Sequence, residues 1–127
     1  MTAVLDSWAI IRFLEDSHPG SDHVAALLDD ERPVLSWINL GAVFYVMRRA
    51  GGQASASSTL CDLRDVMEAE ELSQTRVVEA ARMKASYPMA SADAFAAATA
   101  RAADAALWTG DTELLVTDPA WRWHDLR

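Results

Sequence analysis

A chain of 127 residues, 51% hydrophobic and 24% charged, is long enough for one core and too apolar to be disordered throughout. Its net charge of −8, from 19 acidic and 11 basic side chains, excludes a nucleic-acid grip built on a broad basic face, so such a role must rest on local features or a bound cation. Cys61 is the single cysteine, which excludes an internal disulfide and favours a reducing, cytoplasmic setting. Neither a membrane span nor a signal peptide is expected, because no apolar run is long enough and no basic segment precedes Ala3-Val4-Leu5.

In chain order, Ala3-Val4-Leu5 reads as a short buried strand closed by Asp6. Ser7 to Glu15 carries Trp8 and Ile11 at helical spacing, and His18-Pro19-Gly20-Ser21 breaks it before a second helix over Asp22 to Asp29. Pro33-Val34-Leu35-Ser36 is the next strand. Ser36 is placed to cap a helix from Trp37 to Arg49 that stops at Gly51-Gly52. Ser57 to Ala69 reads as a helix with Leu60, Leu63 and Met67 on one stripe, Cys61 among its core positions, and Glu71-Leu72-Ser73 as a brief strand.

Thr75 to Ser86 is helical, and Tyr87-Pro88 ends it. Ser91 is read as the cap of an alanine-rich helix to Ala103. Ala105 to Thr109 is a strand ended by Gly110-Asp111, and Trp121 to Leu126 supplies an edge strand. Short buried strands alternating with helices predict one α/β domain over residues 1–127, a mainly parallel sheet sandwiched by helices.

In such folds ligands gather at the carboxyl ends of the strands. Asp6 and Asp111 close two strands there, Asp93 lies in the first turn of the alanine helix, and Glu113 follows Asp111 by two residues. Ala96, Ala97 and Ala100 share the face of Asp93 and let that helix pack close to the sheet. Each acid has an ordinary alternative: a helix cap for Asp6, a dipole partner for Asp93, a turn residue for Asp111, a solvated side chain for Glu113. Together they point to one sheet edge. Crowded carboxylates repel unless a hard divalent cation such as Mg²⁺ or Mn²⁺ binds between them, and that cation turns an acidic pocket into a phosphate site.

Val4-Leu5-Asp6-Ser7, Ser36-Trp37-Ile38-Asn39-Leu40-Gly41, Ser91-Ala92-Asp93-Ala94-Phe95 and Trp108-Thr109-Gly110-Asp111-Thr112-Glu113 follow one another in an order that resembles the PIN-domain toxins of VapC type. The resemblance covers essentially the whole chain. It implies a PIN-like three-layer sandwich and an Mg²⁺- or Mn²⁺-dependent endoribonuclease with an RNA substrate, a cognate antitoxin partner and a homodimeric state. Asp6, Asp93 and Asp111 fall on the family's metal and catalytic positions, and Glu113 on a commonly acidic one. Ala42 stands where the family's helix carries a catalytic Glu, so the enzyme is expected to be disabled, by deliberate silencing or by natural degeneration. The alternative is a catalytically dead binding module for antitoxin or RNA.

Ile38, Ala42, Tyr45 and Arg49 share one helix face, and Gly41 inside that helix points to a close backbone approach. His18, His23 and His124 lack metal-site spacing and read as surface or capping residues. Trp8, Trp37 and Trp108 could stack on bases, though core packing is the simpler role for the last two. Arg48 and Arg49 suit either a phosphate or the end of a helix dipole. Trp8, where a haloacid-dehalogenase phosphatase would carry its second Asp, counts against that class.

Overall fold

In the computed structural model, which describes residues 3–127, the apolar pairs and triplets of the sequence become the strands of one parallel sheet. The elements are β1 (Val4–Leu5), α1 (Ser7–Leu14), α2 (Gly20–Asp30), β2 (Val34–Ser36), α3 (Trp37–Gly51) and α4 (Gln53–Val66). There follow β3 (Glu68–Glu70), α5 (Gln74–Ser86), α6 (Ser91–Ala103), β4 (Leu107–Thr109) and β5 (Trp123–Asp125). The strand order is β3-β2-β1-β4-β5, and every pairing is parallel.

Side-chain alternation along these strands sorts the core into two halves. Val4 and Leu107 join the alanines of α6 with Ala80 and Met83 of α5 on one face. Leu5 and Leu35 join α1 to α4 on the other. That is the expected α/β sandwich, with α5 and α6 on one side and four helices opposite. Ala96, Ala97 and Ala100 are fully buried, as their spacing requires. The helices begin where polar side chains satisfy orphan amides: Asp6 accepts from Ala9 N–H at 2.9 Å and Ser36 from Ile38 N–H at 3.2 Å. No helix among the described residues is long and apolar enough to cross a membrane.

Four local expectations are corrected. The strand expected at Glu71-Leu72-Ser73 lies instead at Glu68–Glu70, because the parallel ladder pairs Val34 with Glu68 and Ser36 with Glu70. Its acidic residues suit an edge strand, where charge discourages further pairing. Cys61 is exposed, since α4 turns Ala56 and Leu63 inward and Cys61 one residue past the half-buried Leu60. Ser91 is not the cap of α6. That position is Ala90, and the Ser91 hydroxyl accepts from Lys84 Nζ at 3.0 Å.

Gly41 has no close neighbour: a Cβ there would meet nothing within 4 Å. Its backbone freedom only weakens α3, so Gly41→Ala is expected to stabilise the protein by about 0.5–1 kcal/mol, read as a higher denaturant midpoint. An unchanged or lower midpoint would show that the bare backbone serves some contact at this position.

Candidate functional site

The strand order reverses between β1 and β4, because β2 and β3 add to one side of β1 and β4 to the other. Such a switch point opens a crevice at the carboxyl ends of the two strands. Asp6 leaves β1 there, and Thr109, Gly110 and Asp111 leave β4. The first turn of α6 brings Asp93 to the same edge.

Asp93, Asp111 and Glu113 each place a carboxylate oxygen within 4.8 Å of the other two. Asp6 lies beside them and is 1% exposed. One of its oxygens caps α1 through Ala9 N–H, and the other accepts the Thr109 hydroxyl proton. The Thr109 oxygen in turn accepts from Asp111 N–H at 3.0 Å, so one hydroxyl ties the ends of β1 and β4 together. Asp111 accepts from Glu113 N–H at 3.0 Å, and Glu113 accepts from Ala90 N–H at 3.2 Å ahead of α6. The capping and turn roles of these acids coexist with their convergence.

Burial pushes the Asp6 carboxyl up to about 7, its bonds to Thr109 and Ala9 N–H opposing the rise and Asp111 adding to it. Asp93 is pushed up to about 8, by burial first and then by the charge of Asp111. The cluster resists carrying its full negative charge.

Thr109 is a residue that the motif reading passed over, although a threonine closing a buried strand two residues before an acid is a usable signal. Asn39 is another. It is fully buried in the first turn of α3, with its amide nitrogen 3.0 Å from Ser7 Oγ and 3.3 Å from the Ala92 carbonyl. Ala42 lies one turn further along α3 and is half-buried.

The remaining candidates make contacts outside the carboxylate cluster. Trp8 packs its ring on Gly110, with the Arg12 guanidinium 4.9 Å from the ring centroid. Trp37 and Trp108 are half-buried, and Trp108 stacks on His124 at 4.3 Å. His18 bonds the Asp22 side chain at 2.8 Å at the exposed start of α2. Arg48 bonds Gln53 and Arg49 bonds Tyr45 within and just beyond the last turns of α3.

A Cβ on Gly110 would overlap the six-membered ring of Trp8, over which the Arg12 guanidinium also lies. Gly110→Ala is therefore expected to destabilise by about 1–3 kcal/mol and to move Asp111 next to it. Thermal unfolding and Mn²⁺ titration read the two effects. Full stability in this variant would mean that Trp8 repacks freely.

The PIN domain family model matches residues 3–118. The chain belongs to the PIN domain family. No curated protein sequence matches it. Among solved structures, this PIN domain is similar to VapBC2 from Rickettsia felis bound to a promoter DNA fragment, at 14% identity over 98% of both chains and a TM-score of 0.78. DNA-bound VapBC from Salmonella typhimurium aligns at 15% identity over 100% of this chain and 99% of that one, with a TM-score of 0.78. VapC20 from Mycobacterium tuberculosis, a sarcin-ricin loop cleaving toxin, aligns at 15% over 89% and 92%, with a TM-score of 0.69. At these identities the likeness is one of fold, and it agrees with the VapC-type architecture.

Proposed function

We propose that residues 1–127 form one PIN domain bearing the endoribonuclease site of a toxin that pairs with an antitoxin, its turnover disabled by Ala42. The observation that carries this reading is the convergence of Asp93, Asp111 and Glu113 within 4.8 Å at the switch point of a PIN fold. The donors fit a hard divalent cation: all are carboxylate oxygens, and ligands around Mg²⁺ at about 2.1 Å stand roughly 3–4 Å apart. Mg²⁺ or Mn²⁺ would be held by Asp93 and Asp111, with Asp6 beside them and Glu113 assisting. Such an ion supplies positive charge where a scissile phosphodiester gathers negative charge, and it acidifies water.

The chain's own residues do the rest. Thr109 holds Asp6 and Asp111 at a set spacing, and Glu113 ties the approach of α6 to the loop after β4. The acidic crevice repels phosphate until its charge is neutralised, which makes RNA binding conditional on the cation. An antitoxin segment carrying Arg or Lys would find the same crevice attractive.

Ala42 favours a second reading, a PIN scaffold that binds its antitoxin without cleaving RNA. Cleavage of a mixed RNA pool, followed with Mn²⁺ and with chelator, tests the first reading in the parent chain, its Ala42→Glu form and that form bearing Asp111→Asn. The Glu form should cleave only with Mn²⁺ and lose activity on Asp111→Asn. No metal-dependent cleavage in any of the three would leave the scaffold reading ahead.

A further inference from the structure

The carboxylate crevice faces a mechanical problem: α6 begins without a side-chain cap of its own, and Asp93 in its first turn is repelled by Asp6 and Asp111. Something must hold that turn against the sheet edge. Lys84 and Glu113 bond Ser91 and Ala90 from exposed positions. Among the described residues, the fully buried side chain that hydrogen-bonds this turn is Asn39.

An amide buried in the first turn of an otherwise apolar helix is costly unless its hydrogens are used. Both are used. The Asn39 amide nitrogen donates to Ser7 Oγ at 3.0 Å and to the Ala92 carbonyl at 3.3 Å. The Ser7 hydroxyl returns a bond to the Asn39 backbone carbonyl at 3.3 Å, so the α1–α3 link is reciprocal. Ser7 is the residue after Asp6, and Ala92 the residue before Asp93. One side chain therefore joins the first turns of α1, α3 and α6, one residue from each of two site carboxylates.

We infer that Asn39 is a positioning residue: through Ser7 and Ala92 it sets the spacing of Asp6 and Asp93 and holds the first turn of α6 in place for cation binding. The cation part of this inference rests on the metal-site reading above, and the restraint on α6 stands apart from it.

The test compares the full-length parent chain with Asn39→Leu, which keeps bulk but cannot donate, and Ser7→Ala, which removes one anchor from a half-buried position. Amide exchange of the metal-free proteins reads the restraint, and Mn²⁺ titration by electron paramagnetic resonance reads the site. Losing a buried hydrogen bond corresponds to about tenfold faster local exchange. That acceleration is expected at the amides that close the first turn of α6, from Ala94 to Ala96, in Asn39→Leu, with α5 amides unchanged. Mn²⁺ affinity should fall by about 10–100-fold in Asn39→Leu and several-fold in Ser7→Ala, as for other outer-shell partners of metal sites.

Uniform acceleration across all helices, or unchanged exchange in α6, would overturn the inference. Should Asn39→Leu fail to fold, Ser7→Ala decides: faster exchange confined to the α1 and α6 first turns supports it, and parent-like exchange there sinks it. A parent chain that binds no Mn²⁺ would sink the metal-site reading, while the exchange pattern still decides whether Asn39 restrains α6.

Discussion

Replacing Ala42 by glutamate is expected to raise Mn²⁺ affinity and RNA cleavage by at least about 10–100-fold, the range lost when even an outer-shell partner of a metal is removed. The direction follows from the geometry of α3. Helical side chains lean towards the helix N-terminus, so a glutamate at 42 reaches back over the turn of Ile38 and Asn39. That turn is the one bonded to Ala92, next to Asp93. A half-buried position leaves the longer side chain a route to the crevice.

A further carboxylate there adds repulsion, so the metal-free Glu form should unfold at lower temperature than the parent while its gain in melting temperature with Mn²⁺ is larger. Cleavage rates on a mixed RNA pool, at equal protein concentration and saturating Mn²⁺, give the comparison. Expression of the Glu form without an antitoxin should also harm its host. Equal rates in both proteins, or cleavage that persists in chelator, would remove Ala42 from the account of activity.

Metal-free stability should fall as pH rises from about 4 to about 8. Asp6 and Asp93 both titrate higher in the fold than their ordinary value of 3.8, near 7 and near 8. Below the ordinary value both are protonated, folded or unfolded, and impose no penalty. As pH rises, the unfolded chain releases these protons while the fold retains them, so stability is lost until the folded groups ionise. For the fully buried Asp6 the loss is on the order of 4 kcal/mol, since each pH unit between the ordinary and the folded value costs about 1.4 kcal/mol. Glu70 runs the other way: its bond to Arg76 holds it below its usual range, and that contribution is lost on acidification.

Asp93→Asn isolates the crevice from this opposing slope. It should flatten the decline between pH 5 and 8 without weakening the metal-free fold, and it should shrink the stabilisation given by Mn²⁺. In the parent, Mn²⁺ should stabilise more at pH 8 than at pH 5, because binding must displace protons at the lower pH. At a hundredfold excess over Kd the gain is about 2.7 kcal/mol. Chemical denaturation across pH, with and without Mn²⁺, measures all of these. A steep loss of metal-free stability in Asp93→Asn would assign the residue to helix capping instead.

The α/β class, the order of elements and the gathering of acids at one sheet edge were legible in the sequence because they are local. Val4-Leu5 before Asp6, the alanine face behind Asp93 and the Gly-Asp turn after Thr109 each announce themselves within a few residues, through strand and helix periodicity and turn chemistry. What only the tertiary structure decided depends on partners far along the chain. The ladder with β2 placed β3 at Glu68–Glu70, since a three-residue acidic strand has no periodicity to announce it. Packing against Trp8 made Gly110, and not Gly41, the glycine whose missing Cβ matters. Thr109 reaches Asp6 across 103 residues and Asn39 reaches Ala92 across 53, and a hydrogen bond between such positions leaves no trace in either local pattern. The same dependence drew Glu113 into the tight carboxylate group with Asp93 and Asp111, while the two oxygens of Asp6 beside it bond the start of α1 and the end of β4.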